Sequence, residues 1–184
     1  MKKEEITFQE SQKFALWSRL LMMAVNILFI FGCFSQIILG KPWGDRPMGN
    51  ISLILFTLFL LLVAIGFSFI KMQTIVNQEG VYVKMFPFHL KYKFFSWDTI
   101  AKSYIRKYKP IIEYGGWGFR SSLLRVGSIN TNPIRIGINS NVAYNMSGNI
   151  GLQLIFTNGK KLLIGTHKQA ELAEILSGLG KLSE

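Results

Sequence analysis

The chain is apolar in two long runs near its start and alternates between apolar and polar positions thereafter. Leu20 to Leu39 and Ile51 to Ile70 are stretches of 20 residues each without a charge. At a rise of about 1.5 Å per residue, each reaches about 30 Å, the depth of a bilayer's hydrocarbon core, so the pattern predicts two transmembrane helices. Between them, GKPWGDRPMGN is dense in helix breakers and predicts a short turn that sends the chain back. The first stretch reads as retained: its apolar run exceeds the ~7 to 15 residues of a signal peptide, and no small-x-small cleavage site follows.

After Ile70 the period changes to two. QTIVNQEGVYVKMF predicts a hairpin around Gln78, Glu79 and Gly80, with Val81, Val83 and Met85 on one face and Tyr82, Lys84 and Phe86 on the other. Pro87 ends or bends the second run, and KYKFFSWDTIAKSYIRKY continues as strand with a turn at Asp98. NPIRIGIN sets Ile134, Ile136 and Ile138 on one face of a half-buried strand. GLQLIFTNGKKLLIGT predicts a second hairpin, in which Asn158 and Gly159 supply the positive φ values of a type I′ turn. SGNIG, before it, reads as another hairpin turn because no GK[ST] follows. Thr166 and Gln169 then predict a capping box, and Leu172, Ile175, Leu176 and Leu179 mark one amphipathic helix that Gly180 stops.

The expected fold class is an α+β membrane protein: a two-helix transmembrane hairpin, then an antiparallel β-sheet curled into a partial barrel and capped by a C-terminal helix. Residues 1–13 are expected to be a cytoplasmic segment, either an amphipathic lead-in or a disordered tail. The hairpin takes 14–70, with spans at about 20–39 and 51–70, and the sheet domain takes 71–184.

Charge adds an orientation. Lys2, Lys3, Lys13 and Arg19 precede the first span and Lys71 and Lys84 follow the second, against Lys41 and Arg46 in the turn, which puts both termini in the cytoplasm. Residues 71–184 hold 15 basic and 6 acidic side chains, so +9 of the net +11 lies in the sheet domain. An anionic leaflet attracts such a domain by about 1 kcal/mol for each basic residue near it, although positive-inside bias and solubility account for the same excess.

Little of this suits catalysis. Cys33 is the only cysteine and lies in the first span as a small packing residue, and neither His89 nor His167 begins an HExxH or HxxxH spacing. Of the sheet domain's acids only Asp98 and Glu113 are candidates for a site, and a lipid-acting enzyme would need them to converge. The reading is therefore non-enzymatic, with no catalytic residue, cofactor or metal. Anion binding has more support: YIRKYKPIIEYGGWGFR gathers Arg106, Lys107, Lys109 and Arg120 with Tyr104, Tyr108, Tyr114 and Trp117, a mixture suited to phosphate head groups. An ordinary edge strand kept soluble by lysines fits the same residues. Single-stranded nucleic-acid binders show similar mixing, but a membrane hairpin sets nucleic acid aside as a partner. EYGGWGFRSS lies among β-rich surroundings and so reads as a glycine-permitted bulge or loop at a strand end, with Trp117 packed structurally and Arg120 projecting. Within the spans Asn26 and Gln36 are expected to hydrogen-bond between the helices.

Two apolar spans leading into a β domain that carries EYGGWGFR, AYNMSGNIGLQL and NGKKLLIGTHKQAEL resemble a group of bacterial membrane proteins of uncharacterised activity that carry a pleckstrin-homology-like (PH-like) domain. The motifs cover residues 71–179, and the hairpin matches by architecture. The resemblance implies a seven-stranded curled sheet capped by a helix, in a bacterial inner membrane, and no activity. It departs at residues 121–141, a longer connection than the pattern has. The expected partners are membrane lipids, at an anionic lipid surface, or a protein at that surface. The alternative is an oligomerising or scaffold subunit, which Asn26 and the small residues Gly32, Cys33 and Ser35 would serve.

Overall fold

A computed structural model describes residues 7–121 and 141–183, without the side chains of Arg120, Ser121 and Asn141. The strand expected around Ile134, Ile136 and Ile138 lies outside those residues. The fold is α+β, and two compact units divide it: one joins the residues up to Gln12 with those from Lys71 onward, and the other is Lys13–Ile70.

The second unit is a helical hairpin. Strand β1 (Phe8–Lys13) precedes it. Its first helix, α1 (Leu16–Cys33), runs on through a π-helical turn at Phe34–Ile38, and α2 (Asn50–Phe69) returns. Both helices are long and apolar enough to cross a membrane, and only 11% of each apolar window is buried. Their contacts are aromatic and small: Phe14 stacks on Phe67 at 4.4 Å, Phe29 tilts against Phe56 at 5.1 Å, and Trp43 from the turn lies over Gly32, where a Cβ would meet the indole at 2.6 Å. Of the two expected interhelical links, the one from Gln36 forms, to Asn50 of α2, and the one from Asn26 does not. Asn26 donates Nδ2–H to the Met22 carbonyl of its own helix at 2.8 Å, so it does not bond across the hairpin. Cys33 also crosses the hairpin, its Sγ 3.2 Å from Thr57 Oγ1 and 3.9 Å from the Leu53 carbonyl, which gives the cysteine partners as well as a packing place. Gln36 ties the turn together, donating to the Met48 carbonyl at 2.6 Å and to Asn50 Oδ1 at 2.8 Å.

The other unit begins before the hairpin. β1 is neither a lead-in nor a tail: it is the outer strand of a four-stranded sheet ordered β1-β2-β3-β4, with β2 (Lys71–Val76), β3 (Gly80–Phe86) and β4 (Lys93–Ser96). Phe8, Glu10 and Gln12 alternate inward and are buried. The expected hairpin is present with Val76 opposite Val81, and Val81, Val83 and Met85 are fully buried. Asn77 Oδ1 accepts from the backbone N–H groups of Glu79 and Gly80 and so shapes that turn.

A 3₁₀ turn (Trp97–Thr99) leads to the second sheet, ordered β5-β8-β9-β7-β6: β5 (Ile100–Lys107), β6 (Gly118–Ser121), β7 (Asn141–Asn145), β8 (Ile150–Phe156) and β9 (Lys161–Gly165). Nine strands in two sheets, with no closed barrel among the described residues, replace the single seven-stranded curled sheet expected from the resemblance. The second sheet is mixed, because β7 pairs with β9 in parallel. SGNIG is therefore not a hairpin turn. β9 inserts between β7 and β8, two strands about 10 Å apart, and residues 146–149 arch over its end.

The hairpin of β8 and β9 forms, but its turn is shifted by one residue. Gly159 N–H bonds the Phe156 carbonyl, so Thr157 and Asn158 are the central residues, and Gly159 follows at φ +77. Phe156 N–H to the Lys160 carbonyl completes a type I turn with a glycine bulge in place of type I′.

The last helix, α4 (Gln169–Gly178), buries Leu172 and Leu176. It closes as expected on Gly180 at φ +65, with Lys181 N–H on the Leu176 carbonyl and Gly180 N–H on that of Ser177. The capping box does not form: the Thr166 hydroxyl donates to Glu10 instead, and Lys168 occupies the cap position. Ser183 N–H bonds the Ser103 carbonyl, which covers part of the β5 edge.

Candidate functional site

Between β5 and β6 the chain makes a small knuckle built around a short helix, α3 (Pro110–Tyr114). Pro110 suits the first helical position because its missing N–H has no intrahelical partner there. Gly115 ends the helix at φ +72, its N–H on the Ile111 carbonyl, and Gly116 N–H returns to the Pro110 carbonyl. Gly116 and Gly118 hold φ values of 124 and 116, which L side chains rarely adopt. The glycines of EYGGWGFR are thus the exit from a helical turn as well as an approach to a strand.

Arg106 fixes the knuckle from below. Its guanidinium donates to Glu113 Oε2 at 2.7 Å, to the Tyr114 hydroxyl at 3.2 Å and, through Nε, to the buried Gln153 at 3.1 Å. Glu113 also accepts the Lys109 backbone N–H at 2.8 Å. Tyr114 packs against the buried Tyr108, Ala143 and Leu163 on the sheet. Trp117 Nε1–H donates to the Gly148 carbonyl at 3.1 Å, and Gly118 N–H to Asn145 Oδ1 at 3.0 Å, which holds the knuckle's far end on the arch.

This arrangement redistributes the five residues expected to bind an anion. Arg106 spends its charge on Glu113, so it positions the knuckle and is not open to a ligand. Trp117 holds the exit. Arg120 lies on β6 opposite Ala143, and its side chain is outside the described residues. Lys107 and Lys109 are exposed. Between them and the helix exit stand two residues that the sequence reading passed over: Ile111 and Ile112 are 67% and 78% exposed. Their signal was present as PII, an apolar pair that breaks the alternation next to a proline. Two lysines beside two exposed isoleucines match a surface whose outer layer is anionic and whose next layer is apolar.

The two candidate acids are not joined. Asp98 accepts from Ser96 in the 3₁₀ turn at 3.2 Å, while Glu113 serves Arg106 and Lys109. Among the described residues, no group of three or more His, Cys, Asp or Glu side chains is placed to hold a metal ion.

The hydrogen bond from Arg106 above all, helped by the Lys109 N–H and opposed by partial burial, holds the Glu113 carboxyl below its ordinary range. A depressed carboxylate contributes stability above its unfolded pKa and loses it as pH falls through the folded value. The knuckle should therefore loosen only below the ordinary carboxylate range, near pH 4. Glu113→Gln should loosen it at neutral pH, by about 1 kcal/mol for a partly exposed pair. Hydrogen-exchange protection factors of the Gly115 and Gly116 amides, taken relative to the intrinsic rate at each pH, check both: lower protection in the variant at pH 7, with the wild type falling to it only in acid, is the expected pattern.

Compared with models of known protein families and with curated proteins, the chain matches none.

Proposed function

We propose that this chain is a non-enzymatic membrane protein in which the hairpin anchors a cationic PH-like domain at the cytoplasmic face, where the α3 knuckle rests on anionic lipid. The observation that carries this reading is the hairpin: two helices of membrane length, 11% buried in their apolar windows, leave the sheet domain after β1 and return to it at β2. A core helix of a soluble protein would be mostly covered. A cleaved signal sequence would take β1 with it, and with β1 the buried Phe8, Glu10 and Gln12. Because one compact unit supplies the chain before and after the hairpin, both hairpin ends belong on one side of a membrane, and the basic excess puts that side in the cytoplasm. Successive sheets followed by one helix support the PH-like reading, and the parallel β7–β9 pair departs from it.

A photo-crosslinking side chain at position 112 in the native membrane separates lipid from protein contact. Lipid adducts are expected. A single protein adduct without lipid would overturn the lipid reading in favour of a scaffold subunit.

A further inference from the structure

A second surface of the sheet domain, formed by the connection from β3 to β4, has its own apolar and basic chemistry. That connection exposes Phe88 at 64% and Leu90 at 75%, and Phe94 on β4 is exposed beside Tyr82 at 4.5 Å. These are not scattered side chains. His89, between the two, turns inward: its ring meets Phe119 at 5.4 Å and Tyr144 at 5.6 Å, and its backbone N–H donates to the Met85 carbonyl at 2.8 Å. Burial, with the nearby Lys93 charge, lowers its basicity. With residue 89 anchored inward, Phe88 and Leu90 stand exposed on either side of it.

The charges carried along this apolar crest are basic, and Glu79 stands at its margin, where it accepts the Tyr82 hydroxyl at 2.6 Å. Between Glu79 and Asp98 there is no acidic residue, whereas Lys84, Lys91 and Lys93 all fall there. Lys84 lies 5.5 Å from the Tyr92 ring and Lys93 5.4 Å from that of Phe119, while Lys91 is exposed. An apolar crest of this kind marks an interaction surface. Lysine is depleted at protein–protein interfaces, whereas a bilayer interface favours aromatic rings and an anionic leaflet attracts lysine. We infer that the β3–β4 crest inserts Phe88 and Leu90 into the interfacial layer of an anionic bilayer, with Lys84, Lys91 and Lys93 at the head groups. This rests on the anchored reading above and adds a place where the sheet domain itself enters lipid.

The test uses the full chain with Cys33→Ala, reconstituted in nanodiscs of phosphatidylcholine with or without phosphatidylglycerol, and an environment-sensitive dye on a single new cysteine, Leu90→Cys or Val63→Cys. The dye at 90 is expected to shift to the blue and to be quenched by brominated lipid when phosphatidylglycerol is present, and less so in phosphatidylcholine alone. Lys91→Gln should lower the ratio of inserted to solvent-exposed crest about fivefold, the factor for one surface lysine. Quenching at 63 with a solvent-like dye at 90 in both lipids overturns the crest and leaves the anchor standing. Quenching at neither position overturns both.

Discussion

Replacing Glu10 with alanine is expected to release β1 and to destabilise the sheet domain by about 3 kcal/mol, the upper range for stranding buried partners of a charged group. The Glu10 carboxylate is buried and accepts the Thr166 hydroxyl at 2.7 Å and the His167 backbone N–H at 2.8 Å. Neighbouring Gln12 donates to the Gly165 carbonyl at 2.8 Å. These bonds tie residues on one side of the hairpin to residues more than 150 positions later. Alanine leaves the hydroxyl and the N–H without an acceptor in a site that alanine cannot fill. Glu10→Gln keeps one acceptor oxygen and should recover part of the loss. Urea denaturation in mild detergent, followed through tryptophan fluorescence with Trp17 and Trp43 of the hairpin replaced by phenylalanine so that the buried Trp97 and the half-buried Trp117 report the sheet domain, measures it. A change within about 0.5 kcal/mol, as for an ordinary surface substitution, would mean that β1 is not part of the domain.

The second large effect belongs to the hairpin, and its size depends on the solvent. Leu58 is half exposed near the middle of α2. If water surrounds it, Leu58→Arg is a harmless surface change. If lipid surrounds it, a central arginine costs about 2.5–3.5 kcal/mol, which lowers the inserted fraction relative to the uninserted one by about a hundredfold. We expect the second result: protein that resists alkaline extraction from membranes as wild type and is released as the variant. Unchanged extraction of the two proteins would argue against lipid around α2.

What could be read from sequence was local. The apolar spans, the β2–β3 pair, the amphipathic period of α4 and its stop at Gly180 are all written within a few residues of where they act. β1 was hidden because two of its three inward residues, Glu10 and Gln12, are polar, and only the distant Thr166, His167 and Gly165 make their burial tolerable. The same bond removed Thr166 from the capping box. The β7–β8 segment looked like a hairpin because nothing nearby reveals that β9 will enter between its arms. At Asn158 and Gly159 the dipeptide allowed two turns, and the Phe156–Lys160 bond selects the bulged one. Arg106 looked free because its partner Glu113 is seven positions on and meets it only after α3 has turned the chain. In the candidate site, the basic stretch was legible in the sequence but the division of labour within it was not, since a residue's availability depends on what the fold places beside it.

The central claim is that the hairpin spans a membrane with the sheet domain on one side and its turn on the other. In a Cys33→Ala background, Asp45→Cys reports the turn and Lys160→Cys the sheet domain, both at exposed positions. A membrane-impermeant maleimide applied to intact cells should label position 45 at once and position 160 only after permeabilisation. Labelling of both positions from the same side of an intact membrane would contradict the account.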